Sequence, residues 1–437
     1  MSQNCQKIII NLLLKRISLW GVNNPTELIV ESYAARPPSL RIAVVTETYP
    51  PEVNGVAMTL GKIVEGLLVR GHAVQVVRPR QGNEAEQPLR AGLDEVLSRG
   101  IPLPSYGELR FGLPSKNKLI KLWTENRPDI VHVVTEGPLG WSAVSAARKL
   151  KLPVTSSFHT NFESYSQHYG LGLLKSPIDG YLRKLHNLTQ ATMVPTRAMQ
   201  LALQSRGYQH VTLLSRGVDT AQFSPAKRSL ALRDQWGVGP EDLVFLSVGR
   251  LAKEKNVGAV IAAFQAIQLR MPLAKMVFVG DGPMRKSVEQ ACPGAIFAGV
   301  QKGEALAAHY ASGDVFLFPS LTETFGNVVP EALASGLAVV SYACAAAQEL
   351  ITSEHNGVLV AGVHELDFVQ TAITLAKDRK MQELVRRQAA GSVAHLSWNA
   401  IFDSFVSTLN GVIERHGKPF ATALPLRDPV VFSQPSA

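Results

Sequence analysis

The sequence predicts an α/β protein made of two doubly wound, Rossmann-like domains that face one cleft. Three observations carry this. Short apolar runs recur along the chain, and longer segments with apolar residues at helical spacing lie between them. The alternation falls into two series that meet near residues 217–240. Several strands end in loops rich in Gly, Pro and charged residues, and open α/β sheets bind ligands at such strand ends.

The first series opens at Arg41. Ile42, Ala43, Val44 and Val45 form the continuous apolar run of a buried parallel strand, closing in Thr46-Glu47. The stretch Tyr49 to Gly55 is punctuated as a loop. Val56, Leu60, Ile63, Val64, Leu67 and Leu68 then follow helical spacing, Gly71-His72 ends the helix, and Ala73 to Val77 is the next strand. That is one βαβ unit. Further strands are expected at Ile130–Val134, Val154–Phe158, Ala191–Pro195 and Val211–Leu214, with a helix over Trp141–Lys149. The second series is expected at Leu243–Val248, Lys275–Val279, Ala295–Ala298, Val315–Pro319, Ala338–Tyr342 and Gly357–Val360. The domain limits so read are 40–218 and 219–395, followed by a helix over 396–416 packing back toward the first domain. Residues 1–39 are expected to be a poorly ordered extension or a short amphipathic helix touching a membrane, and 417–437 a loose tail. In the extension the basic pair Lys15-Arg16 follows the apolar stretch Ile8–Leu14, the reverse of a signal peptide.

The 437 residues are 46% hydrophobic and 18% charged, and no apolar run reaches the roughly 18 residues of a membrane-spanning helix. Three scattered cysteines, Cys5, Cys292 and Cys344, offer neither a disulfide framework nor a zinc site, which favours a reducing, cytoplasmic setting. The net charge of +9 is one-sided: residues 1–218 hold 25 Lys and Arg against 15 Asp and Glu, whereas residues 219–437 hold 19 against 20. Such a field draws anionic surfaces.

Several loops, most of them at strand ends, carry the chemistry. Ser320 to Asn327 opens a helix with Glu323 in the loop and Glu331 in its first turn. Gly326 there lets backbone amides approach a ligand, the helix start favours a diphosphate, and carboxylates accept from sugar or ribose hydroxyls. Val248-Gly249-Arg250-Leu251 with Lys255 offers two cations for a diphosphate, one a fork and one a point charge. Gly280-Asp281-Gly282-Pro283 is a sharp turn, and Arg216 at the domain junction either points into the cleft or caps the hinge. In the first domain, Gly55 lets backbone approach phosphate, and His159 ends a strand within Phe158-His159-Thr160-Asn161-Phe162. There is no phosphate-binding G-x-x-x-x-G-K-[ST], no G-x-G-x-x-G after a strand, no G-x-S-x-G elbow and no Asp-x-Asp pair for a metal-bound nucleotide sugar.

From about Arg41 to about Arg415 these residues resemble the retaining glycosyltransferases of family 4, whose GT-B fold is two Rossmann-like domains. The marks are Glu323-x7-Glu331 within Glu-Thr-Phe-Gly-Asn, Val248-Gly249-Arg250 with Lys255, Gly280-Asp281-Gly282-Pro283 and Arg216-Gly217-Val218-Asp219. Thr46-Glu47-Thr48-Tyr49-Pro50-Pro51 to Asn54-Gly55-Val56 and the His159 segment are similar to the branch of GDP-mannose-dependent α-mannosyltransferases and related glycolipid enzymes. The resemblance implies an acceptor domain followed by a donor domain, no cofactor, and Arg250 and Lys255 on the donor diphosphate in place of a metal. It implies Glu323 on the donor sugar, amides at Phe325, Gly326 and Asn327 seating it beside Val328, and Glu331 on the ribose. Asp281 and Gly282 belong to the implied donor site. Gly55 would close on the phosphates, and His159 would be a catalyst or line the acceptor site.

Two features depart from the family pattern: Pro330 stands just before Glu331, and the 39-residue extension is atypical. The first turn of a helix tolerates Pro, so the helix is expected to survive. The basic and apolar segment Tyr106 to Trp123 is expected either to dock on an anionic membrane or to be a solvated helix edge packing on the sheet. The expected partners are a nucleotide-sugar donor, a lipid or saccharide acceptor and the inner face of the cytoplasmic membrane, with no nucleic acid. Readings left open are a UDP-sugar donor (glucosyl or sulfoquinovosyl), a UDP-sugar 2-epimerase and a non-catalytic polyanion binder.

Overall fold

The computed structural model describes residues 39–52, 54–81, 90–103, 106–159, 175–239 and 241–416. The expected extension, apart from Ser39, and the expected tail lie outside them, as do Thr160, Asn161 and Phe162. The strands are β1 (Arg41–Val45), β2 (Ala73–Pro79), β3 (Leu93–Ser98), β4 (Gly100–Leu103), β5 (Tyr106–Gly112), β6 (Ile130–Val133), β7 (Val154–Ser157), β8 (Ala191–Val194) and β9 (Val211–Leu213). In the second half they are β10 (Val244–Val248), β11 (Lys275–Val279), β12 (Ile296–Gly299), β13 (Val315–Phe318), β14 (Ala338–Tyr342) and β15 (Val358–Val360).

Two parallel sheets result, ordered β3-β2-β1-β6-β7-β8-β9 and β12-β11-β10-β13-β14-β15, with β4 and β5 in a separate antiparallel pair. Side chains alternate across a strand, so a strand covered on both faces must be apolar throughout. In β1, Ile42 and Val44 pack with Leu60, Val64 and Leu67 of the Gly55–Val69 helix, while Ala43 and Val45 pack with Leu139, Ala143 and Ala147 of the Pro138–Lys149 helix. The second sheet repeats the plan: Phe245 and Phe278 join Val260 and Phe264 on one face, and Val244 and Leu246 join Val329 and Leu333 on the other. No helix among the described residues is long and apolar enough to cross a membrane.

The Trp398–Arg415 helix lies against the first sheet's layer, with Phe405, Leu409 and Val412 buried beside Ile42, Leu60 and Val64. The chain therefore crosses between the sheets twice, and the crossings touch: the Val218 N–H donates to the Leu396 carbonyl at 2.8 Å. Arg70 clamps the helix at its edge, 2.9 Å from Asp403 and with its guanidinium 4.8 Å from the Phe402 ring centroid.

The segment Tyr106 to Trp123 divides into a strand and a helix, and the helix fits the second expected reading, a solvated edge packing on the sheet. It forms β5 and then a Lys116–Glu125 helix whose Leu119 and Trp123 are buried, with the Trp123 indole donating to Gln75 at 3.1 Å. Those two side chains belong to the core, whereas Phe111, Leu113, Lys116, Lys118 and Lys121 are exposed. Proline inside β4 and two acids inside β3 masked these short edge elements, which the apolar pattern did not reveal.

Phe405→Ala should cost about 3–5 kcal/mol of unfolding free energy, because it empties a fully buried aromatic site in the returning helix. Asp403→Ala, at the exposed end of an ion pair, should cost less than about 1 kcal/mol. Chemical denaturation midpoints of the two variants check the contrast.

Candidate active site

In a doubly wound sheet the crevice opens where strand order reverses. Here that happens between β1 and β6 in the first sheet and between β10 and β13 in the second. Loops leaving these four strands line a cleft of about 1270 Å³. The first domain contributes Glu47, Thr48, Asn54 and Gly55 after β1, and Thr135, Glu136 and Gly137 after β6. The second contributes Gly249, Arg250, Leu251, Glu254 and Lys255 after β10, and residues from Pro319 to Val328 after β13.

Local hydrogen bonds shape each loop. Asn54 caps the Gly55–Val69 helix, its Oδ1 accepting from the N–H groups of Val56 at 3.1 Å and Ala57 at 2.8 Å. Its Nδ2 donates to Thr48 at 2.7 Å, which folds the β1 loop on itself and turns the helix start toward the cleft. After β13, Gly326 takes φ +86°, a conformation that L side chains rarely adopt, and reverses the chain into the Val328–Ala334 helix. Phe325, 1% exposed, anchors that reversal, its carbonyl accepting from the Ala346 N–H at 2.8 Å.

Glu323 is paired with Lys255 and accepts from the Ser320 hydroxyl at 2.9 Å. Arg250 is half exposed and lies 3.5 Å from Glu254. Arg216 occupies the centre, 6% exposed, within reach of both domains. Its Nη2 donates to His159 Nδ1 at 3.2 Å and its Nη1 to Asn327 Oδ1 at 3.4 Å, and its guanidinium lies 5.8 Å from the Phe325 ring centroid. A Cβ on Gly55 would come within 3.7 Å of Nη1. Burial lowers the Arg216 pKa to about 10, opposed by the Glu323 carboxylate, so the group stays cationic at neutral pH. Its buried Nε–H has no partner among the described residues.

His159 is held from both domains, since the Thr324 hydroxyl donates to its carbonyl at 2.8 Å. Burial, and after it the Arg216 charge, hold its pKa well below the usual histidine value. The ring is therefore neutral. Accepting from Arg216 at Nδ1 leaves its proton on Nε2.

Nine of the residues expected at a site line this cleft: Gly55, His159, Arg250, Lys255, Glu323, Phe325, Gly326, Asn327 and Val328. Asp281, Gly282 and Glu331 are not among the lining residues. The Asp281-Gly282 turn props the β10 loop, since the Leu251 N–H donates to the Asp281 carbonyl at 3.0 Å and a Cβ on Gly282 would fall 2.5 Å from the Leu251 carbonyl. Glu331 accepts from the Tyr310 hydroxyl at 2.9 Å, and burial raises its carboxyl to about 7. Pro330 is accommodated two residues into the short helix. Sequence reasoning left Arg216 with two readings and gave Glu47, Glu136 and Trp141 no chemical role, although all four line the cleft.

Residues 53–222 match the family model described as Glycosyltransferase Family 4, and residues 242–378 match Glycosyl transferases group 1. The chain is 32% identical over 378 residues to a GDP-mannose-dependent alpha-mannosyltransferase of Mycobacterium tuberculosis, covering 85% of this chain and 97% of that one. The chain belongs to glycosyltransferase family 4. Another relative of this glycosyltransferase, a sulfoquinovosyl transferase of Arabidopsis thaliana, is 30% identical over 371 residues, 82% of this chain and 71% of its own. Among solved structures, sucrose-phosphate synthase of Thermosynechococcus elongatus superposes with a TM-score of 0.70 at 16% identity, covering 86% of this chain and 99% of that one. That likeness shows the GT-B fold.

Two cleft-region carboxyls of the glycosyltransferase, Glu47 and Glu331, are each raised from 4.5 to about 7, mainly by burial. Between those values the native state keeps protons that the unfolded chain releases, so stability falls as pH rises from about 4.5 to about 7. Melting temperatures of the ligand-free protein should follow that direction, and Glu47→Gln with Glu331→Gln should flatten the slope.

Proposed function

We propose that this glycosyltransferase moves mannose from GDP-mannose to a hydroxyl of a lipid or glycolipid acceptor, with retention of anomeric configuration. The observation that carries the reading is the convergence of Arg216, Arg250 and Lys255 with Glu323 at two opposed switch points. The one-third identity to a GDP-mannose-dependent relative over most of both chains supports the donor.

Arg250 forks onto the donor diphosphate. Lys255 leaves Glu323 for the phosphates, and Glu323 then accepts from hydroxyls of the donor sugar. Backbone amides at Phe325, Gly326 and Asn327 seat that sugar, and Arg216 adds charge from the domain junction. The C1–O bond to the diphosphate breaks as the acceptor oxygen bonds to C1 from the same face, and the acceptor proton passes to the leaving phosphate oxygen. Fixed cations stabilise the charge that develops on the diphosphate in a site that is already organised. His159, neutral and with its Nδ1 lone pair taken up by Arg216, lines the reaction centre as a hydrogen-bond group. Glu331 accepts from the ribose hydroxyls once its own proton is lost. The enzyme works at the inner face of the cytoplasmic membrane, with Lys116, Lys118, Lys121 and Phe111 toward anionic lipid.

GDP-mannose and GDP at about 100 times their dissociation constants should stabilise the protein by about 2.7 kcal/mol in a thermal-shift assay. Arg250→Ala should weaken binding about 10- to 100-fold through loss of charge-assisted contacts. Selective stabilisation by UDP-glucose would move the assignment to a UDP-sugar donor. Because Glu331 titrates near 7, GDP affinity should rise with pH across that value, and Glu331→Gln should remove the dependence.

A further inference from the structure

We infer that Tyr310 is a positioning residue for the nucleotide's ribose: its hydroxyl takes up one oxygen of Glu331 and leaves the other to accept from the ribose hydroxyls. This rests on the transferase reading and deepens it by naming the residue that orients the ribose-binding carboxylate.

Glu331 belongs to the short helix that the Glu323–Asn327 loop opens. Val328, the first residue of that helix, lines the cleft, and Glu331, three residues on, shares its face. The residue is half-buried. Its Oε2 accepts from the Tyr310 hydroxyl at 2.9 Å, and its Oε1 takes no hydrogen bond from any described residue. A carboxylate that only holds the fold together looks different in the same domain. Asp314 is 4% exposed and both its oxygens are taken, Oδ1 by Arg228 at 2.9 Å and Oδ2 by Arg233 at 3.1 Å and by the Val244 N–H at 2.9 Å. Glu331 keeps one acceptor in reserve, and a ribose offers two adjacent hydroxyl donors.

Tyr310 can commit the other oxygen because its ring is fixed. It is fully buried on the Gly303–Ser312 helix, with the Phe223 ring edge-on at 5.6 Å and 88° and the Phe316 ring at 5.8 Å. Phe223 follows directly on the crossing between the domains, where its N–H donates to the Asp219 carbonyl at 2.7 Å. Burial raises the Glu331 carboxyl to about 7, and the Tyr310 hydrogen bond opposes that rise. With Oε2 accepting from Tyr310, a proton taken up by the carboxyl goes to Oε1. There it replaces charge-assisted bonds to the ribose with weaker neutral ones. The hydroxyl therefore both orients the carboxylate and favours its ionised form.

The test is calorimetric titration of the full chain with GDP and 2′,3′-dideoxy-GDP, and with UDP and 2′,3′-dideoxy-UDP, at pH values on both sides of 7. Above that pH the wild type should bind the ribonucleotide at least about tenfold more tightly than its dideoxy counterpart. Tyr310→Phe keeps the ring and its packing, so it should weaken the ribonucleotide by about three- to tenfold and leave the dideoxy nucleotide unchanged. The pH at which the preference for ribose sets in should move upward in this variant, because the bond that favoured the carboxylate is gone. The ratio of the two affinities cancels the titration of the diphosphate, which both nucleotides share. In a Glu331→Gln background, Tyr310→Phe should add no further loss. Equal loss for both nucleotides, no loss, an unmoved pH midpoint or a further loss on top of Glu331→Gln would overturn the role of Tyr310. The same pattern with the UDP pair and no binding of the GDP pair would contradict the GDP-mannose reading and leave this one standing. Binding of neither pair by the wild type would overturn the transferase reading and the role of Tyr310 with it.

Discussion

Arg216 is the constraint on which the cleft depends. A guanidinium taken out of water is costly unless its charge is answered and its donors are met. This one sits where the chain leaves the first sheet for the second, and it is answered from both sides: His159 from the first domain, Asn327, Phe325 and the field of Glu323 from the second. The junction that holds it is itself doubled, since the strand-like contact of Val218 with Ser397 pairs the outgoing and returning crossings. The same side chain thus joins the two domains and carries charge at the centre of the cleft.

Around that centre the two switch points divide the labour. Second-domain loops bring charge, with Arg250 and Lys255 opposed by Glu254 and Glu323. First-domain loops bring a recessed carboxyl and aromatic rings. The Lys255–Glu323 pair keeps both groups neutralised while no diphosphate is present. On the proposed reading, a diphosphate that offers Lys255 more negative charge than one carboxylate does would release Glu323 to bind sugar hydroxyls. On this account the donor prepares its own sugar site. Glu47 is held without any such exchange, by the backbone N–H groups of Gly112 and Leu139 in the room that Gly137 leaves.

Much of this was legible in the sequence because two-sided burial forces continuous apolar strands, as in Ile42–Val45 and Val315–Phe318. Loops carrying Arg250, Lys255 and Glu323 could be placed at strand ends on the same ground. Edge elements escaped: β3 is broken by Asp94 and Glu95, and β4 contains Pro102. Arg216 kept two readings because its neighbours His159 and Asn327 lie 57 and 111 residues away, and no local pattern encodes such contacts. In the sequence Glu47 reads only as the polar end of a strand, because the residue that makes room for its carboxylate, Gly137, lies far along the chain. The perturbed carboxyl of Glu331 likewise follows from burial beside Tyr310 on another helix, which spacing alone does not reveal.

The position of the diphosphate in a crystal structure of the GDP complex tests the central claim most directly. The account predicts phosphate oxygens within hydrogen-bond distance of Arg250 and Lys255, with Arg216 facing them and Glu323 freed from Lys255. A diphosphate bound elsewhere, or bound with the Lys255–Glu323 pair intact, would contradict it.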